Sequence, residues 1–157
     1  MTPWARAGWA YSNWLRLTSR ERWLLMRAIT LIPSMHVAVR VVGFHRLHGR
    51  VTAIRAAPPA PQHRETLIRE CTTSINRVKR APVFRGNCLS QSLALEWLLR
   101  RSGVAPTLRL GVRLGEPKFA AHAWIECDGR VLNDAPDVST RFVPLATTPL
   151  GPGVDGH

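Results

Sequence analysis

The sequence predicts an α+β fold in which a helix opening on Cys88 packs against an antiparallel sheet, behind an N-terminal helical extension. Three observations lead there. Residues 63–80 and 88–103 carry apolar side chains at helical spacing, residues 108–114 switch to alternation, and Asp128-Gly129 separates two further extended segments as a hairpin turn. A chain of 157 residues suits one domain with an appendage, since domains of about 100–150 residues are the commonest. With 45% hydrophobic and 20% charged residues, the composition is that of a globular protein and not of a disordered one.

Residues 1–16 hold Trp4, Trp9 and Trp14, whose spacing of five spreads the rings around a helix; the segment is expected to be a flexible or partner-docking N-terminus. Residues 17–55 form the helical extension. Thr18-Ser19-Arg20-Glu21 has the form of a capping box, which predicts a helix from Thr18 to about Ile32. Pro33 is expected to break or kink it, with a second arginine-bearing helical segment over 35–47. Residues 56–62 include Ala56-Ala57-Pro58-Pro59-Ala60-Pro61, a stiff linker by composition, and the catalytic domain is placed after it at 63–142. Leu67, Ile68, Cys71, Ile75 and Val78 mark one face of a helix over about 63–80, with Cys71 an ordinary small core residue. Asn87 is a natural N-cap for the helix that opens at Cys88 and ends at Gly103. Leu108, Leu110, Val112 and Leu114 alternate as one face of a strand; residues 119–126 and 130–134 form the hairpin, and 143–157 a peripheral tail.

The charge narrows the partners. Twenty-two Lys and Arg against ten Asp and Glu leave +12, which favours acidic partners. The arginines are dispersed and no nucleic-acid motif is present, so nucleic acid is not expected as the partner. Three cysteines without a C-x-x-C pair suggest neither a disulfide framework nor a zinc knuckle, and a reducing cytoplasm is the expected setting. The longest uncharged run in the apolar region, 28–39, falls short of the ~18 residues a spanning helix needs; no transmembrane segment is expected, although a basic amphipathic surface here can lie on a membrane or a protein.

The chemistry centres on Cys88. A thiol of ordinary pKa is mostly protonated at neutral pH, and the first turn of a helix, with free N–H groups and the positive dipole end, favours the thiolate. The plain alternative is a buried structural cysteine. His122 lies on a predicted strand among small residues in Ala121-His122-Ala123, and the order Cys, His, Asp is that of a papain-like or transglutaminase-like cysteine hydrolase core. Asp134 can orient His122 only from the same face of the hairpin. A two-residue turn would separate them, whereas a three-residue loop with Gly129 in the left-handed region pairs Glu126 with Arg130 and sets Asp134 across from His122; that loop is the expectation. Asp128 and Asp137 are weaker candidates, and Ser90 and Ser92 read as ordinary polar positions of the helix. The six histidines form no ligand-like cluster, so neither metal nor cofactor is expected.

Gly86-Asn87-Cys88-Leu89-Ser90-Gln91-Ser92-Leu93-Ala94-Leu95, then His122-Ala123-Trp124 and Asn133-Asp134, resembles the leader peptidases of lasso-peptide biosynthesis over residues 65–135. The resemblance implies a transglutaminase-like fold, a triad of Cys88, His122 and Asp134, and cleavage of a ribosomally made precursor between leader and core. It further implies a threonine near the cut, a separate small leader-recognition protein and an ATP-using cyclase as partners, with this chain similar to the stand-alone form. The arginine-bearing surface of residues 18–47 is expected to meet the recognition protein or the leader. Two rivals are an acyltransferase of the same fold that uses an amine in place of water, and a non-enzymatic basic binding module.

Overall fold

The computed structural model describes residues 17–80, 88–113 and 120–145. Trp4, Trp9, Trp14, the Asn87 cap, Leu114 and the tail beyond residue 145 lie outside the described residues. The helices are α1 (Ser19–Val42), α2 (Phe44–Thr52), α3 (Pro61–Lys79), α4 (Cys88–Arg101) and the single turn α5 (Val138–Arg141). The strands β1 (Thr107–Arg113), β2 (Ala120–Cys127), β3 (Arg130–Val131) and β4 (Val143–Pro144) form one antiparallel sheet in the order β3-β2-β1-β4. The start of the tail is therefore not peripheral: Val143 pairs with Val112 and closes the sheet's far edge.

α1 begins on the predicted capping box, with the Glu21 N–H donating to Thr18 Oγ1 at 3.2 Å and the Thr18 N–H to Glu21 Oε2 at 2.9 Å. It is not broken at Pro33 but continues through it for 24 residues. Ile32 and Met35, on either side of the proline, are both buried in the core, and that packing outweighs the single backbone hydrogen bond a proline removes. The break comes instead at Gly43, whose φ of 86° carries the chain into α2.

Leu24, Ala28, Ile32 and Met35 of α1 share one apolar cluster with Ile68, Cys71, Ile75 and Val78 of α3 and with the buried face of α4. The extension and the residues after the proline stretch thus have a common core. Pro61 is the first residue of α3, where its missing N–H costs nothing. α4 ends as predicted at Gly103 (φ 78°), with the Gly103 N–H bonded to Arg100 O and the Val104 N–H to Leu99 O, a Schellman pair. A Cβ on Gly103 would stand 2.0 Å from the Ala57 carbonyl oxygen, so the turn also admits the proline stretch against the helix end.

The hairpin corrects the sequence reading. Cys127 pairs with Arg130 and Glu126 with Val131, across a two-residue turn in which Asp128 (φ 51°) and Gly129 (φ 74°) both have positive φ. Such a primed turn matches the twist of the flanking strands, which is why the expected three-residue loop does not form. Gly129→Val is expected to lower stability by about 1–2 kcal/mol, the cost of a left-handed β-branched residue, with little steric clash because open space surrounds the position. Thermal or urea unfolding of the variant checks this.

Candidate active site

Cys88 is the first residue of α4, partly exposed, while the rest of the helix's inner face is sunk in the core. The thiol shares a hydrogen bond with the His122 imidazole, and this is the largest cause that lowers its pKa below the ordinary 9.0; burial opposes, and the backbones of Ala123 and Leu89 add to the lowering. The same bond raises His122 above 6.5 against the effect of its burial, with further help from Asp134. His122 Nε2 donates to Asp134 Oδ2 at 2.5 Å, which leaves Nδ1 for the thiol. Burial works to raise Asp134, yet the bonds from His122 and the Ala135 N–H outweigh it and hold the carboxyl below 3.8. Asp134 Oδ1 also accepts from the Ala135 N–H at 2.7 Å and from Arg141 at 3.1 Å, so both oxygens are engaged.

The three residues expected to meet do meet, although the argument offered for their register does not hold. β3 ends at Val131 and not at Asp134, so face alternation no longer governs residue 134. Asn133 ends the ladder: its Oδ1 accepts from the Ile125 N–H at 2.8 Å, in the place a strand carbonyl would otherwise occupy. The chain then bends, and Asp134 swings back to His122.

Asn133 and Ser92 form a buried clamp that sequence reasoning assigned to no role. Asn133 Nδ2 donates to Ser92 Oγ at 2.9 Å, and Ser92 Oγ donates to Ala123 O at 3.0 Å. Ser92 lies one helical turn beyond Cys88, and Ala123 follows His122. The clamp therefore fixes the helix of Cys88, the strand of His122 and the loop of Asp134 to one another. A fully buried serine four residues after Cys88 was the available signal, since a hydroxyl among leucines needs a partner. Ser92→Ala is expected to lose about 1–3 kcal/mol by stranding the Asn133 amide and to reduce turnover well before the fold is lost; urea unfolding beside a rate measurement distinguishes the two.

Phe142 stacks on His122 with ring centroids 4.8 Å apart, and Trp124 lies 6.2 Å away, giving the imidazole an apolar wall. Gly111 makes that wall fit, because a Cβ there would stand 2.8 Å from the Trp124 ring. Asp128 and Asp137 are engaged elsewhere, with Arg64 and Arg141 respectively. Cys71 is buried with its thiol pushed up to about 11, and burial likewise raises Cys127, so neither shares the polarisation of Cys88. Among the described residues no group of three or more His, Cys, Asp or Glu side chains is assembled that could hold a metal ion.

Comparison with known proteins fits this geometry. The chain is 33% identical over 82 residues to the Microcin J25-processing protein McjB of Escherichia coli, an alignment covering 52% of this chain and 38% of that protein. The chain therefore matches well under half the length of that relative. No solved structure matches. The transglutaminase-like superfamily pattern matches residues 31–147, from the middle of α1 to just past β4, and so takes in half of the extension along with the sheet. With Cys88 on the helix, His122 on the strand and three quarters of the sequence within the match, the chain belongs to the transglutaminase-like superfamily.

Proposed function

We propose that this protein is a cysteine peptidase that removes the leader from a ribosomally made lasso-peptide precursor, with Cys88 as nucleophile, His122 as acid and base, and Asp134 as the group that orients His122. The observation that carries the reading is the His122 Nε2–Asp134 Oδ2 hydrogen bond at 2.5 Å, beside which Cys88 and His122 polarise each other, the thiol lowered and the imidazole raised. The precursor as substrate rests on the motif resemblance and on the likeness to a microcin-processing protein.

The Cys88 thiolate attacks the scissile carbonyl, and the oxyanion that forms lies near the first-turn N–H groups of α4. The imidazolium of His122 gives its proton to the departing amine, which leaves an acyl-enzyme. His122 then takes a proton from water, hydroxide adds to the thioester, and collapse releases the carboxylate and regenerates the thiolate. Asp134 keeps the ring in the tautomer that faces the thiol. In this reading a separate recognition protein supplies the leader, a cyclase consumes the core, and the work takes place in the cytoplasm; the three free thiols are compatible with that setting.

Mass spectrometry of the precursor incubated with the protein and its recognition partner tests this. Two fragments whose masses sum to the precursor plus one water are expected. A product joined to an added amine would assign the acyl-transfer chemistry instead, and normal function in a Cys88→Ala variant would assign a binding module.

The ion pair sets the pH dependence. Turnover needs Cys88 without its proton and His122 with one, and the lowered thiol and raised imidazole values bring those limits together from 9.0 and 6.5. The pH profile of kcat/KM is therefore expected to be bell-shaped, with apparent values that belong to the pair. Asp134→Asn removes a charge that raises His122, so its alkaline limb should move to lower pH. For stability the signs differ. The raised His122 contributes fully below about pH 6.5 and fades as pH rises through its folded value, whereas the lowered Asp134 contributes above about pH 4 and is lost in acid.

A further inference from the structure

The outward face of α1 has no use in the chemistry above. Trp23, Met26, Pro33, Val37 and Val41 follow one another at spacings of three, seven, four and four, a stripe opposite the buried Leu24, Ala28, Ile32 and Met35 that is interrupted only by the exposed Thr30, whose hydroxyl is turned back onto the Met26 and Arg27 carbonyls. Trp23 is 52% exposed, Val37 58% and Val41 78%, and the stripe extends roughly 27 Å along the helix. A soluble surface rarely carries so long an apolar band without something to cover it.

Charge identifies the cover. Residues 17–55 contain seven arginines and one carboxylate, Glu21, which is held by Thr18 and Arg77. Arg22, Arg27 and Arg40 flank the stripe, Arg20 being paired with Glu70 of α3 at 2.9 Å, and the Arg27 guanidinium lies 3.6 Å from the centre of the Trp23 ring. α2 continues the basic surface with Arg46 and Arg50. By length and composition α1 could cross a membrane, a property the count of uncharged residues had missed because arginines at both ends interrupt the run. Crossing would nevertheless strip its inner face from the core shared with α3 and α4.

We propose that α1 lies in the surface of an anionic lipid bilayer, with its apolar stripe among the acyl chains and its arginines on lipid phosphates. A protein partner, as the sequence resemblance suggested for this surface, would meet a band with one sign of charge and no fixed pattern of donors and acceptors. A lipid surface asks for just those two features, apolar depth and cations at the rim. The proposal does not depend on the peptidase assignment.

Flotation of the full-length protein with unilamellar vesicles tests it. Strong binding is expected to vesicles with about one third phosphatidylglycerol in phosphatidylcholine, falling steeply with salt, and near-background binding to phosphatidylcholine alone. The triple variant Met26→Gln, Val37→Gln, Val41→Gln alters exposed positions, so its thermal midpoint should match the wild type while its vesicle binding weakens by about tenfold or more. Wild-type protein that ignores the anionic vesicles, or a folded triple variant that binds them equally well, would overturn the proposal. So would a triple variant that processes the precursor poorly in solution with its recognition protein while the wild type shows no vesicle binding, since the face would then belong to a protein.

Discussion

Replacement of Cys88 by alanine is expected to reduce precursor cleavage by about 10⁴-fold or more, to the level left by substrate binding alone. The side chain is partly exposed at the head of α4 where it packs against the edge of the core, and alanine removes only its sulfur, so the far-ultraviolet circular dichroism should be that of the wild type and the unfolding midpoint close to it. His122→Ala should fall almost as far, because the three groups act as a unit and their effects do not add. Asp134→Ala should be milder, since the carboxylate orients the ring and reacts with nothing. Substantial turnover in purified Cys88→Ala protein, measured under single-turnover conditions, would remove the nucleophile assignment and with it the peptidase reading.

A chain that begins at Gln62 is expected not to fold. The sequence places the catalytic domain after the proline stretch, which would make the segment before it an appendage. The structure argues otherwise, because Leu24, Ala28, Ile32, Met35 and Val51 belong to the same buried cluster as α3 and α4. Ile32 is fully buried, and Ile32→Ala alone should lower stability by about 2–5 kcal/mol. Loss of Leu24, Ile32, Met35 and Val51 together is of the same size as the total of about 5–15 kcal/mol that holds a typical domain together. A soluble, cooperatively melting fragment from Gln62 would show that the extension is dispensable after all. The superfamily match points the same way as the packing, since it begins within α1.

The legible parts of the fold are those written in local patterns. The capping box at Thr18 and Glu21, the helical spacing in α3 and α4, the alternation in β1 and the Asp-Gly turn each depend on residues a few positions apart, and each appears where the sequence places it. Cys88, His122 and Asp134 were also legible as candidates, from residue type, order and the resemblance of the surrounding motifs. The failures share a cause. Pro33 was weighed for its local effect on a helix, but Ile32 and Met35 share a core with Ile68, Cys71 and Ile75 of α3 and with the buried face of α4, more than thirty residues away along the chain. The run 130–134 was read as a strand from its composition, but the Asn133 side chain ends the ladder by bonding to Ile125.

What the sequence determined by itself is thus the set of elements and the reactive residue types, because helix caps, side-chain period and turn preference are properties of neighbours in the chain. The tertiary structure alone decided that α1 belongs to the same core as the helix of Cys88, that Asp134 reaches His122 from a bend and not from a strand, and that Ser92 and Asn133 lock the three parts together. Those outcomes depend on which buried groups find partners across the core, and the cost of leaving a buried hydroxyl or amide unpaired is settled only when distant segments have come together.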